Sequence, residues 1–172
     1  MSNEILRMTA VELLQQYRDK TLSPVEVAEA MLVQIERLDS HTNGFCLVDR
    51  ETSLGLARES EQRYQKGEAQ GLVDGVPVAV KDVFLTPMWP TIKGSYTVDP
   101  KSTLNKSAPA TAALARHGYV PIGKTTTPEF GWKGVTDNPV DGVTNNPWNP
   151  KKTAGGSSGG SGVAVALGMA PL

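Results

Sequence analysis

Asp74-Gly75-Val76-Pro77-Val78-Ala79-Val80-Lys81-Asp82 holds five apolar residues between a turn dipeptide and a pair of charges. A nearly continuous apolar run of this length, bounded by a turn signal, predicts a buried strand. Helix and strand patterns alternate on both sides of it. Toward the N-terminus, Thr9 to Glu12 fits a capping box, with Val11, Leu14 and Tyr17 at helical spacing. Ser23-Pro24-Val25-Glu26 is a stronger helix start, with an N-cap Ser, Pro at the first helical position and Glu at N3. Val27, Met31, Ile35 and Leu38 then mark the apolar face of that helix. Phe45-Cys46-Leu47-Val48 predicts a short buried strand, and residues 51–66 a polar helix stopped by Gly67. Toward the C-terminus, a helix is expected from Ser107 as N-cap through Pro109, Ala113, Leu114 and Arg116 to Gly118. Tyr119-Val120-Pro121-Ile122 predicts the next strand. Strand alternating with helix points to an α/β fold.

Beyond that strand the composition changes. Residues 125–152 are rich in Gly, Pro, Asn and Asp and predict a long ordered loop region, more often functional than idle at that length. Residues 155–162 read Gly-Gly-Ser-Ser-Gly-Gly-Ser-Gly, and Val163-Ala164-Val165-Ala166-Leu167 follows as a predicted buried helix. The sequence stops at Leu172, soon after that helix, so the expectation is an N-terminal piece of a longer protein.

Composition narrows the function classes. The 172 residues suit one domain with a real core. Lys and Arg total 17 against 18 Asp and Glu, a net charge of −1, so no basic field invites nucleic acid or an anionic membrane. The first 16 residues carry acids where a signal peptide would be apolar, and no run of roughly 18 apolar residues occurs. A soluble, cytoplasmic protein is expected. Cys46 is the single cysteine, and His41 and His117 are the two histidines, so neither a metal site nor a cofactor is expected. His117, near a predicted helix end, reads as a dipole contact.

Two features carry chemistry. The glycine-serine run reads either as a flexible linker or as a loop that opens a helix and brings a Ser hydroxyl close to backbone donors. Its flanks, Asn146-Pro147-Trp148-Asn149-Pro150 before and an apolar helix after, favour the second reading. No Lys-Ser or Lys-Thr follows the glycines, which excludes a P-loop, and no strand precedes them, which weakens a dinucleotide fingerprint. Lys81, at the end of the apolar strand, reads either as a solvated strand-end lysine or as one whose burial makes it a base. Asp82 should face the other way and make a poor ion-pair partner for it.

Taken together these blocks resemble the N-terminal part of the amidase signature family of serine hydrolases. The likeness rests on residues 74–82, on Gly123-Lys124-Thr125 with Pro128-Glu129-Phe130, on Asn146-Pro147-Trp148, and on residues 155–161, and it spans essentially the whole chain. It implies a mixed β-sheet core surrounded by helices, incomplete in these 172 residues. Residues 1–172 would be the N-terminal part of a single amidase domain, with a helical region over about 1–70 and a catalytic-core portion over about 71–172.

The resemblance also implies roles. Lys81 corresponds to the family's catalytic lysine, and Ser157 to its bridging serine, which follows a cis peptide bond. A nucleophilic serine, about two dozen residues further on in the family, would lie beyond residue 172, so the fragment alone is expected to be inactive. Ser158 and Ser161 then read as small residues that pack and cap a tight loop. Gly131 and Trp132 fall in a segment that lines the acyl site, with Trp132 also readable as a core or hinge aromatic. Ala154 and Gly162 stand where the family commonly has Pro and Ala. The implied activity is hydrolysis of a linear carboxamide, with a small-molecule amide and the remainder of the polypeptide as partners and a homodimer as a common assembly. Two alternatives are a non-catalytic binding module and a glutamine-hydrolysing amidotransferase A subunit. The amidotransferase branch usually has a Met-Gly-Ser pattern where this sequence has Gly131-Trp132-Lys133-Gly134.

Overall fold

The apolar run predicted as a strand lies against a second strand that arrives from the far side of a helix. The computed structural model describes residues 2–172, with side chains from Glu4 onward. Its helices are α1 (Ser2–Ile5), α2 (Ala10–Arg18), α3 (Pro24–Thr42), α4 (Arg50–Lys66), α5 (Pro109–Arg116) and α6 (Gly159–Ala166). Strands β1 (Phe45–Leu47), β2 (Pro77–Lys81) and β3 (Val120–Thr125) form a mixed sheet in the order β1-β3-β2. β2 runs parallel to β3 and β1 antiparallel to it, so Lys81 ends beside Thr125 at the carboxyl edge of the parallel pair. This is the α/β fold with a mixed sheet that the sequence predicts.

The caps of α2 and α3 form as expected. Thr9 and Glu12 close one reciprocal capping box, and Ser23 and Glu26 the other, ahead of Pro24 at the first helical position. Gly67 ends α4 in the left-handed conformation. Leu13, Leu14 and Tyr17 of α2 meet Val27, Met31, Leu32 and Ile35 of α3 in the main core, which Phe45, Val76, Ile122 and Met169 complete. Val11 departs from the prediction: it is exposed, and Leu13 takes the inward place.

Three other departures have local causes. Pro109 occupies the first position of α5, so the cap is Ala108 rather than Ser107 and no side chain caps it. The Thr111 hydroxyl shares its proton between the Leu85 and Ala108 carbonyls, which ties this first turn to the segment after β2. The predicted loop over residues 125–152 is organised by two small hairpins. β4 (Asp137–Asn138) pairs with β5 (Gly142–Val143), and β6 (Asn145–Asn146) with β7 (Asn149–Thr153). Finally, α6 starts four residues before the apolar run, inside the glycine-serine stretch, and exposes Val165 while burying Val163 and Ala164. Its glycines allow this. A methyl on Gly160 would lie 2.5 Å from the Thr126 nitrogen and closer still to the Gly44 carbonyl. Only a residue without Cβ lets the helix start settle onto that backbone.

Candidate active site

β2 delivers Lys81 and the turn before α6 delivers Ser157, and the two side chains meet. Lys81 Nζ lies 2.7 Å from Ser157 Oγ and 3.0 Å from Ser158 Oγ. Among the described residues no carboxylate forms an ion pair with Lys81. Partial burial therefore acts without a counter-charge and lowers the amine below its usual range. A pocket of about 240 Å³, walled by Val80, Phe84 and Leu114, opens beside Lys81.

The serine turn is fastened from several sides. The Gly156-Ser157 peptide bond is cis. The Ser157 carbonyl accepts from Thr127 Oγ1 at 3.2 Å. Thr136 Oγ1 donates to the Gly155 carbonyl at 2.8 Å and accepts from Gly159 N at 3.0 Å. Ser161 and Thr125 share a hydroxyl bond of 2.7 Å, which ties the first turn of α6 to the end of β3. Ser161 thus does what a packing residue does. Ser158 does more than the sequence reading allows, because its hydroxyl reaches Lys81 rather than capping α6.

Gly131 and Trp132 sit in one surface turn but face differently. A methyl on Gly131 would lie 3.9 Å from Ser157 Oγ, so this backbone borders the Lys81–Ser157 pair. Trp132 is 89% exposed within these 172 residues. His117 Nδ1 accepts from the Leu72 backbone N–H at 3.3 Å, a bond the sequence does not foretell. Among the described residues no group of three or more His, Cys, Asp or Glu side chains is placed to hold a metal ion. Among them, too, no helix is long and apolar enough to cross a membrane.

Sequence reasoning missed one charged pair nearby. Asp82 turns away from Lys81, as expected, and meets the fully buried Lys124 at 3.0 Å. Lys124 stands in one of the matched blocks, yet only the register of β3 against β2 shows that its side chain passes beneath Asp82.

The site is a lysine amine on a serine hydroxyl, at the edge of a mixed sheet and under a glycine-rich turn. The amidase family model matches residues 26–172, and the chain belongs to that family. It is 38% identical over 170 residues to the A subunit of a glutamyl-tRNA(Gln) amidotransferase from Streptomyces coelicolor, a match that covers 99% of this chain and 34% of the relative. A bacterial aryl acylamidase of the amidase signature family superposes with a TM-score of 0.85 at 30% identity, over 95% of this chain and 34% of that one. A fatty acid amide hydrolase superposes with a TM-score of 0.92 at 26% identity, over 99% of this chain and 30% of that one. The chain thus spans about a third of the length of the relatives it matches.

Proposed function

We propose that residues 1–172 are the N-terminal portion of a cytoplasmic amidase that hydrolyses a carboxamide C–N bond, with Lys81 and Ser157 as its proton relay. The observation that carries this reading is the 2.7 Å contact between Lys81 Nζ and Ser157 Oγ, on a lysine that pairs with no carboxylate among the described residues. A neutral amine has two N–H bonds and one lone pair. Donation to Ser158 Oγ leaves the lone pair free for the Ser157 hydroxyl proton. Ser157 Oγ in turn takes the proton of a nucleophilic serine, which lies outside residues 1–172. That serine attacks the amide carbon, the C–N bond breaks as the relay protonates the leaving nitrogen, and water hydrolyses the acyl-enzyme. Gly131 and Trp132 form the acyl-side wall. Relay residues without their nucleophile act as an incomplete unit, so the 172 residues alone do not turn over.

The test uses the full-length polypeptide. Ser157→Ala and Lys81→Met should each lower kcat/KM at least about 1,000-fold, and Trp132→Ala should raise KM. A serine-directed fluorophosphonate should label one serine outside residues 1–172. Parental turnover in either relay variant, or an adduct on Ser157, Ser158 or Ser161, sinks the reading.

A second reading is favoured by the 38% identity to the A subunit of an amidotransferase. In it the same chemistry releases ammonia from glutamine for a partner protein. Ammonia release stimulated by partner proteins and tRNA would establish it, and partner-independent hydrolysis of simple amides would exclude it.

A further inference from the structure

One buried charge pair takes no part in the relay. The Lys124 and Asp82 side chains are 0% and 3% exposed, and every hydrogen-bonding position of the ammonium is used. Lys124 Nζ reaches Asp82 Oδ1 at 3.0 Å, the Phe84 carbonyl at 3.0 Å and Thr91 Oγ1 at 2.6 Å. Asp82 Oδ2 accepts from the backbones of Ile92 at 3.2 Å and Lys93 at 2.8 Å. Such a pair is a weak source of stability, since apolar residues of similar volume usually serve as well. Its location gives it another use.

The pair joins both sides of the candidate site. Asp82 directly follows Lys81, and its N–H binds the Thr125 carbonyl at 3.0 Å. On the other side, Lys93 offers its carbonyl to the Phe130 N–H at 2.9 Å, and Ser95 Oγ donates to Glu129 Oε1 at 2.7 Å. Phe130 is held with a φ of 53°, a conformation bulky residues avoid, immediately before the Gly131 backbone that borders Ser157. A φ of this kind persists only where the surroundings enforce it, and the Lys93 carbonyl is part of that enforcement.

We propose that Asp82 and Lys124 are positioning residues for amide hydrolysis, holding Lys81 and the 128–132 turn in register with Ser157. This rests on the function proposed above. Neither side chain touches the Lys81–Ser157 contact. They act through the backbone at residue 82 and through the 91–95 turn, and the three fixed bonds of Lys124 leave that segment one arrangement.

The experiment compares Asp82→Asn, Thr91→Val and Lys81→Met with the parent in the full-length polypeptide, below their melting temperatures. It measures kcat and KM on a small primary amide, with kcat normalised to folded protein. Misplacing a reacting group by about 1 Å costs on the order of 100-fold. Asp82→Asn should therefore lose about 100-fold in kcat with KM within threefold, a split that simple loss of stability does not produce. Thr91→Val, which removes one bond to the ammonium, should lose about 10-fold. Folded Asp82→Asn with kcat within threefold of the parent overturns the proposal, as does a loss confined to KM. If Asp82→Asn does not fold, Thr91→Val decides in the same way. Parental turnover in Lys81→Met would instead refute the function reading, which separates the two failures.

Discussion

Two glycines in one turn of α6 should respond to alanine with opposite signs. Gly160 faces the backbone of Gly44 and Thr126, and its added methyl would stand 2.5 Å from the Thr126 nitrogen where ordinary contact begins near 3.4 Å. The shortfall is roughly 1 Å, and both obstacles are main chain already joined by the Thr126 N–H to Gly44 carbonyl bond of 2.9 Å. Neither can rotate away, so the helix start must lift. Overpacking of this kind costs about 2–3 kcal/mol, or about 4–12 °C at roughly 2–4 °C per kcal/mol for a chain of this size. Gly162 has nothing within 4 Å of its added methyl and lies inside the helix. There alanine should add about 0.5–1 kcal/mol by removing glycine's extra freedom in the unfolded chain. Thermal unfolding followed by circular dichroism reads both. In the full-length polypeptide, Gly160→Ala should also lose turnover, because the displaced turn carries Ser157. A Gly160→Ala variant that melts within a degree of the parent would refute the close-approach argument. So would a Gly162→Ala variant that falls as far as Gly160→Ala.

Two further predictions rest on charges. Lys81 must be neutral to accept a proton, and burial lowers its amine from the usual value of 10.5. In the full-length polypeptide kcat/KM should therefore rise with pH to a plateau, with an acid limb below that value. An acid limb unchanged in Lys81→Met would assign it to another group. Asp74 is fully buried and accepts from Ser60, from two Arg63 nitrogens and from the Gln70 backbone. Asp74→Ala strands those donors and should cost about 3–5 kcal/mol in urea unfolding; a loss under about 1 kcal/mol would show that water replaces the carboxylate.

Much of this architecture can be read from local chemistry. The caps at Thr9 and Ser23 and the stop at Gly67 are written in residues a few positions apart, and they form as their types dictate. The end of an apolar strand is also a local feature, and it places Lys81 at the sheet edge. What local pattern misreads is set by distant partners. Val11 and Leu13 are both apolar, and only the position of α3 decides which is buried. Glycine propensity argues against a helix at Gly159 and Gly160, yet the Thr136 side chain against Gly159 and the backbone of Gly44 and Thr126 against Gly160 leave no room for a Cβ. Ser158 reads as loop packing until β2 brings an amine to it. Lys124 is the plainest case, since a lysine in a strand is usually solvated, and its burial follows from a carboxylate 42 residues away in sequence, between positions 82 and 124.

The contact between Lys81 and Ser157 spans 76 positions of the chain. No local fluctuation closes such a distance. β2 finds β3 only across α5, and the serine turn arrives only when the 126–153 segment has folded back over the sheet edge. Before that, Lys81 is a hydrated ammonium like any other, without the burial that lowers its pKa in the folded chain. The Lys81–Ser157 contact is thus a product of finished topology. A chain caught partway through synthesis, or opened by partial unfolding, carries the same residues without bringing them together.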